Sequence, residues 1–181
     1  RGQQLQAPPL KQAAQALGLE VWQPEKMRAA EAVQRFVEAG LDLACVVAYG
    51  QILPQAVLDA PRLGCVNVHA SLLPRWRGAA PIEWALAAGD AETGVCVQRM
   101  VLQLDAGDLL LSAQRALRAE DDGPTLHAEL AQTGATLLRQ AVEGLANGSL
   151  SGQPQDASKV TLAPLLKKSD GFLDPSWTLK E

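Results

Sequence analysis

The sequence has 181 residues, of which 48% are hydrophobic, and its formal net charge at pH 7 is −4. A chain of this length and composition supports one globular domain with a sizeable core, which excludes a disordered protein. The acidic balance excludes a protein that holds nucleic acid by its overall charge, so such a contact must use a local basic patch or another domain. No apolar run reaches the length of a bilayer span, and we expect no membrane partner.

The cysteines and histidines argue against a metal site. Cys45, Cys65 and Cys96 are widely spaced, and each lies inside an apolar segment. This pattern is typical of reduced core residues in a cytoplasmic protein, not of a disulfide framework or a zinc site. His69 and His127 are the only histidines in the sequence. We therefore expect a cytoplasmic protein without a metal. We also expect it to be a monomer.

The first third of the chain alternates helix and strand patterns. The apolar spacing and its breaks predict helix, strand, helix, strand and helix over residues 10–17, 19–22, 27–39, 43–48 and 55–60. The run at 43–48 is apolar without interruption, which is typical of a strand that a parallel sheet covers on both faces.

The rest of the chain continues the alternation. The patterns predict a strand from residue 65, a helix over 81–88, a hairpin-like pair of strands over 93–102 and 109–117, and a long helix that opens at 121–124. From residue 155 onward the periodicity is poor, which is typical of a linker that packs on something else. Helices that alternate with apolar strands indicate an α/β sheet flanked by helices.

A polar pair ends the central strand. Asn67 and His69 are two residues apart, so their side chains point to the same face of the sheet. Catalytic groups of open α/β sheets usually lie at the carboxyl ends of strands. The alternative is structural, because Asn and His at a strand end often satisfy neighbouring backbone groups.

The residues that follow favour the catalytic interpretation. The run Asn-Val-His-Ala-Ser-Leu-Leu-Pro-Arg-Trp-Arg-Gly-Ala-Ala-Pro-Ile, residues 67–82, resembles the signature of the folate-dependent formyltransferases. Its second half, from Arg75, is similar to the members of that family that act on initiator methionyl-tRNA. The resemblance implies a Rossmann-like formyltransferase fold, with a largely parallel twisted sheet flanked by helices and truncated at the N-terminus.

The resemblance also implies a domain organisation. Residues 1–150 correspond to part of the catalytic domain of the family, without its first strand region. Residues 151–181 resemble the linker toward a C-terminal tRNA-binding domain, which the sequence does not contain.

Formyl transfer to an amine is acyl transfer, which needs hydrogen-bond donors for the developing oxyanion and an acid/base group. Asn67 offers an amide N–H at any pH, and His69 can move protons near neutrality. Neither is a nucleophile activated as in a Ser-His-Asp enzyme. Direct attack of the amine, through a tetrahedral intermediate, therefore fits better than an acyl-enzyme.

A carboxylate is expected to orient or charge the imidazole. Leu104-Asp105-Ala106-Gly107-Asp108 is by itself a turn sequence, and such turns are more often structural. In the family, the first acid of a Leu-Asp-x-Gly-Asp motif is catalytic, and this resemblance assigns that role to Asp105. Asp108 is expected to be a turn residue.

The implied formyl donor is 10-formyltetrahydrofolate, whose pterin requires a flat apolar slot. By resemblance, two segments form its walls: Ser71, Leu72, Leu73 and Pro74, and Tyr49, Gly50, Gln51, Ile52 and Leu53. The leucines and Ile52 are equally consistent with an ordinary core.

Two cations flank an indole in this run. Arg75 and Arg77 beside Trp76 are candidates for holding tRNA phosphates or stacking on bases, or they are solvated loop cations around a packed ring.

Three functions remain open at this stage. The first is transfer of a formyl group from the folate to the amino group of methionine on initiator tRNA. The second is another folate formyltransferase, or a formyl-folate hydrolase, that acts on a small substrate. The third is a truncated folate-binding domain without turnover.

Overall fold

The computed structural model describes residues 7–171. Five helices and six strands are numbered here in chain order. The helices are α1 (Pro9–Ala16), α2 (Ala30–Glu38), α3 (Gln55–Asp59), α4 (Pro81–Ala87) and α5 (Gly123–Ala146). The strands are β1 (Ala44–Val47), β2 (Cys65–His69), β3 (Arg77–Gly78), β4 (Glu92–Arg99), β5 (Leu109–Ala116) and β6 (Leu162–Ala163).

A four-stranded sheet forms the centre, in the order β1-β2-β4-β5. β1 and β2 are parallel, whereas β2 with β4 and β4 with β5 are antiparallel. The α/β class with flanking helices is confirmed, but the described sheet is mixed and not largely parallel. The connection from β4 to β5, residues 100–108, is too short for a parallel return, and β4 itself runs antiparallel to β2.

The first strand is covered on one face. Ala44 and Val46 pack against the core beside α2 and α3, whereas Cys45 is exposed and 53% of Val47 is exposed. The predictions that both faces of this strand are buried and that Cys45 is a core residue are therefore wrong. β1 is an edge strand, and nothing within residues 7–171 packs on its second face.

Residues 19–22 do not form the predicted strand. No sheet strand lies beside them in the described part of the chain, so their backbone has no ladder to join. Trp22 instead packs against the α2–α3 core, with the Arg35 guanidinium 4.9 Å from its ring centroid.

Two apolar layers enclose the sheet. One is built around α5 and the other around α2 and α3. The α5 side contains Val66, Val97, Leu110, Ala141 and Leu145, and the opposite side contains Met27, Ala32, Leu53, Val57, Leu58 and Cys65. Asp122 begins α5 because its side chain accepts a hydrogen bond of 2.8 Å from the Thr125 N–H. Within residues 7–171 no helix combines the length and apolarity that would let it cross a membrane.

A small two-stranded sheet joins distant parts of the chain. β3 pairs in parallel with β6, which returns residues 153–163 to the loop after β2. Gly78 has φ +126°, and a Cβ there would lie 2.6 Å from the Ala163 carbonyl oxygen. Only glycine permits this close approach of the two backbones.

Candidate active site

The central strand presents both predicted polar side chains on one face. Asn67 pairs with Gln98 of β4, and His69 pairs with Cys96. Residues directly opposite in an antiparallel pair share a face and have Cβ atoms about 4.5–5.5 Å apart. Asn67, His69 and Gln98 therefore form one polar cluster on a sheet that is otherwise largely apolar.

The His69 imidazole is buried, and a hydrogen bond identifies the ring nitrogen that carries the proton. His69 is 6% exposed, and its Nε2 lies 2.8 Å from the Trp76 carbonyl oxygen. Because a carbonyl oxygen only accepts, Nε2 carries the proton and donates it. The other ring nitrogen, Nδ1, lies 3.7 Å from Asp105 Oδ2. Trp76 has φ +64°, a left-handed conformation that is strained for a bulky residue and is typical of functional loops.

The carboxylate is held by two donors other than histidine. Asp105 Oδ2 accepts from the Gly78 N–H at 2.9 Å, and Oδ1 accepts from Gln98 Nε2 at 2.9 Å. Asp105 itself has φ +46°. The side chain is 13% exposed, so a substrate group or a water molecule can still reach it. The structure thus brings Asp105 and His69 together.

The Asn67 amide is free to bind. Its side chain is half-buried, and within residues 7–171 it makes no hydrogen bond. It lies on the same face as His69, two residues before the strand ends. An amide without a partner beside a histidine and a carboxylate is available to donate to an oxygen that gains negative charge.

The first predicted folate segment, residues 49–53, contains both exposed and buried side chains. Exposed side chains include Tyr49 (41%) and Ile52 (86%), and the neighbouring Gly50 has φ +72°. Leu53 is buried in the α2–α3 core, and Gln51 accepts from the Met27 N–H at 2.8 Å. Because β1 and β2 are parallel, this loop and the loop after His69 leave the sheet at the same edge.

The segment after His69 is tightly packed. Ser71 is fully buried, and its hydroxyl donates to the Arg75 carbonyl oxygen at 2.6 Å. Leu73 is buried, and the peptide between it and Pro74 is cis. Leu72 covers Gly94, where a Cβ would lie 2.6 Å from the leucine Cδ2 atom. These side chains support the loop.

The two predicted tRNA-binding arginines differ in environment. Arg75 is exposed, stacks 4.2 Å above the Trp76 ring, and donates to both oxygens of Asp90 at 2.9 and 2.6 Å. These hydrogen bonds lower the pKa of Asp90 and raise that of Arg75. Arg77 is buried (7% exposed) and donates to Gln155 Oε1 at 3.1 and 2.7 Å. The structure does not place Arg77 where a tRNA could touch it.

A cleft of about 320 Å³ lies beside the Arg75–Trp76 stack, next to the loop and separate from the His69–Asp105 pair. It is lined by Leu72, Arg75, Trp76, Asp90, Ala91, Glu92 and Thr93.

Two glutamines of the site were not predicted. Gln98 is 1% exposed and directly follows the apolar run Val95-Cys96-Val97, and a polar residue at this position is the signal that could have found it. Gln155 donates from Nε2 to the carbonyl oxygens of Asp105 and Gly107 at 2.8 and 2.7 Å, and to Gln98 Oε1 at 3.2 Å. It lies in a segment without clear periodicity, where the sequence carries no comparable signal.

Within the part of the chain that the structure describes, no group of three or more His, Cys, Asp or Glu side chains is arranged to hold a metal ion.

Burial raises the pKa of the Cys96 thiol, which faces the site from β4, to about 11. Cys96 is therefore a neutral thiol at physiological pH.

The chain matches the model of a known protein family. The family model described as formyl transferase matches residues 1–142, which is most of the chain. This chain is a member of the formyl transferase family.

The relatives that match this chain are longer than the chain itself. A methionyl-tRNA formyltransferase of Pseudomonas syringae is 52% identical over 178 residues, which cover 98% of this chain and 56% of that protein. A methionyl-tRNA formyltransferase of a Synechococcus species is 51% identical over 175 residues, covering 96% of this chain and 54% of that protein. The chain thus spans about half the length of these relatives.

Solved structures of formyl transferases share the fold. A sugar N-formyltransferase from a Shewanella species superposes with a TM-score of 0.75, at 19% identity, over 93% of this chain and 65% of that one. A glycinamide ribonucleotide transformylase from Symbiobacterium toebii superposes with a TM-score of 0.71, at 22% identity, over 80% of this chain and 74% of that one. The Rossmann-like formyltransferase fold is therefore confirmed.

Proposed function

We propose that this chain is the catalytic part of an enzyme that transfers a formyl group from 10-formyltetrahydrofolate to the amino group of methionine on initiator tRNA. The observation that carries the proposal is the unpartnered Asn67 amide on the same face as a His69–Asp105 pair at 3.7 Å. The choice of acceptor is supported by the relatives at 51–52% identity, which are methionyl-tRNA formyltransferases.

The residues fit a reduced folate that carries a formyl group. The exposed side chains of Tyr49 and Ile52 stand at the edge where β1 and β2 end, and they offer an apolar surface for a flat ring. The packed loop from Ser71 to Pro74 supplies a second wall. When bound, the folate supplies the activated formyl group.

In the proposed reaction Asn67 donates its amide N–H to the formyl oxygen as that oxygen gains charge. His69 keeps a proton on Nε2 and, when doubly protonated, adds positive charge on the same face. Asp105 accepts the proton that the methionine amine loses, directly or through a water molecule. The net exchange breaks the bond from the formyl carbon to N10, forms the bond to the amine nitrogen, and moves one proton to N10.

The reaction is tested with the protein that contains this chain, 10-formyltetrahydrofolate and methionyl-tRNA. We expect formyl-methionyl-tRNA to accumulate, and no product from the His69→Ala variant. Formylation of a small amine instead of the tRNA would favour another folate formyltransferase, and release of formate would favour a hydrolase. Folate binding without any product would favour a non-catalytic domain. Each of these outcomes overturns the proposal.

We propose the domain organisation on the same basis. Residues 1–150 contain the catalytic unit, and residues 151–181 lead toward a C-terminal tRNA-binding domain; of these, 172–181 lie outside the described residues. We further propose that the enzyme acts in the cytoplasm and that it is a monomer. Light scattering of the purified protein tests the oligomeric state.

A further inference from the structure

One side chain connects the late part of the chain to the site. Gln155 Oε1 accepts from the Arg77 guanidinium, while Nε2 donates to the backbone carbonyls of Asp105 and Gly107 and to Gln98. We propose that Gln155 is a positioning residue, which acts through Asp105 by holding the loop that presents its carboxylate to His69. This inference rests on the proposed function, because it assigns to Asp105 a part in the transfer.

The loop needs an external restraint. Asp105 adopts φ +46°, a left-handed conformation that a non-glycine residue keeps only where its surroundings hold it. The residues before it, 101–104, are exposed and bury little surface. The two carbonyls on either side of Ala106 both accept from the same Gln155 amide nitrogen. That amide therefore fixes two peptide units next to the carboxylate, 105–106 and 107–108.

Arg77 orients the glutamine. Its Nε and Nη2 both donate to Gln155 Oε1, so the oxygen must face Arg77 and the NH₂ group must face the loop. Arg77 is 7% exposed and forms no ion pair within residues 7–171. A buried guanidinium is costly to leave unpaired, which makes this orientation of the amide strongly favoured.

The backbone around Gln155 is anchored on both sides. Gln153 and Leu109 exchange two backbone hydrogen bonds of 2.8 Å, and β6 pairs with β3 a few residues later. This segment follows residue 142, where the match to the family model ends. The catalytic loop thus depends on a part of the chain beyond the matched region.

The test compares two variants of nearly equal volume in the protein that contains this chain. Gln155→Met removes the amide, and Gln155→Glu keeps the acceptor for Arg77 but removes the donor to the loop. Gln153→Met is the matched control, because the Gln153 side chain is exposed and its backbone bonds remain. We expect both Gln155 variants to lower kcat on the order of a hundredfold, with KM for the formyl donor unchanged, since a displaced catalytic group costs about this much. The control should be as active as the wild type.

A double-mutant cycle separates positioning from general damage. If Gln155 acts through Asp105, Gln155→Met has no further effect on kcat in an Asp105→Asn background. Equal fold losses in both backgrounds would overturn the inference, as would full activity of both Gln155 variants.

Hydrogen exchange tests the inference without relying on turnover. The Gly78 N–H is bonded to Asp105 Oδ2, so its exchange reports whether the carboxylate is in place. We expect faster exchange of this amide in Gln155→Met than in Gln153→Met, at similar melting temperatures. Unchanged exchange would overturn the inference whatever the activity. If the two variants show this exchange difference but the wild-type protein transfers no formyl group, only the proposed function is overturned.

Discussion

His69 Nδ1 and Asp105 Oδ2 lie 3.7 Å apart, but neither group depends on the other for its position. The imidazole is fixed by the Trp76 carbonyl, and the carboxylate by the Gly78 N–H and the Gln98 amide. Each member of the pair is therefore held in place by its own hydrogen bonds. Such an arrangement leaves Asp105 able to exchange a proton without losing its place.

The first prediction concerns the carboxylate. Asp105→Asn keeps the shape but removes the proton acceptor, and it leaves one of two donors, Gly78 or Gln98, without its oxygen. We expect kcat to fall about 10²- to 10⁴-fold, the usual contribution of an acid/base group. Asp108→Asn, in the same loop, is the control with the same change of charge. Similar losses in both variants would indicate that the loop charge matters, not the position of Asp105.

The second prediction concerns the amide donor. Asn67→Ala removes the amide donor and adds no charge near Asp105. We expect kcat to fall about 10²- to 10³-fold, as for the loss of one oxyanion donor. The melting temperature should change little, because the Asn67 side chain makes no hydrogen bond within the described residues. Steady-state kinetics and thermal unfolding check both parts, and near-normal turnover would exclude Asn67 from oxyanion stabilisation.

The third prediction separates the two arginines. Arg75 is exposed and Arg77 is buried, so only Arg75 is placed to meet a phosphate. We expect Arg75→Gln to weaken tRNA binding. The logarithm of the binding constant should also fall less steeply with the logarithm of the salt concentration, by about one in slope. Arg77→Lys should lower kcat and leave that slope unchanged. Binding measured at several salt concentrations checks this, and equal slopes for Arg75→Gln and the wild type would remove Arg75 from the tRNA surface.

The fourth prediction concerns stability in acid. Hydrogen bonds from Arg115, followed by one from the Arg118 N–H, lower the pKa of Asp121 to about 2. Its ordinary pKa is about 3.9. The folded state therefore gains stability from this carboxylate above about pH 4, and loses it as the pH falls toward 2.

Urea unfolding between pH 6 and pH 2 tests this dependence. Asp121→Asn should be less stable than the wild type at pH 6, and the difference should shrink as the pH approaches 2. Asp42→Asn is the control, because Asp42 pairs with Arg62 in an ion pair that is largely exposed. A difference that stays constant with pH would contradict the role of the Asp121 charge.

The fifth prediction concerns the thiols. Cys45 is exposed, whereas Cys65 and Cys96 are buried, and burial raises the pKa of each buried thiol to about 11. We expect an alkylating reagent at pH 8 to modify Cys45 in the native protein, and the other two only after unfolding. Mass spectrometry of the labelled peptides checks the order. Rapid labelling of Cys96 would show that the site side of β4 is open to solvent.

The sequence alone determined the local elements and the polar pair. Apolar spacing predicted the long helix α5, the strand containing Asn67 and His69, and the β4–β5 pair, because helix and strand periods are local properties. The period of two in a strand also placed Asn67 and His69 on one face. A contiguous run of residues was enough to indicate the family and, through its motif, Asp105.

Tertiary structure alone decided the rest. The mixed sheet, the open face at Cys45 and the burial of Arg77 depend on which elements become neighbours, and no local pattern records this. Gln98 and Gln155 reach the site because β4 lies beside β2 and because residues 153–163 return to β3. A hydrogen bond between side chains far apart in the chain exists only once the fold has brought them within 3 Å or so of each other.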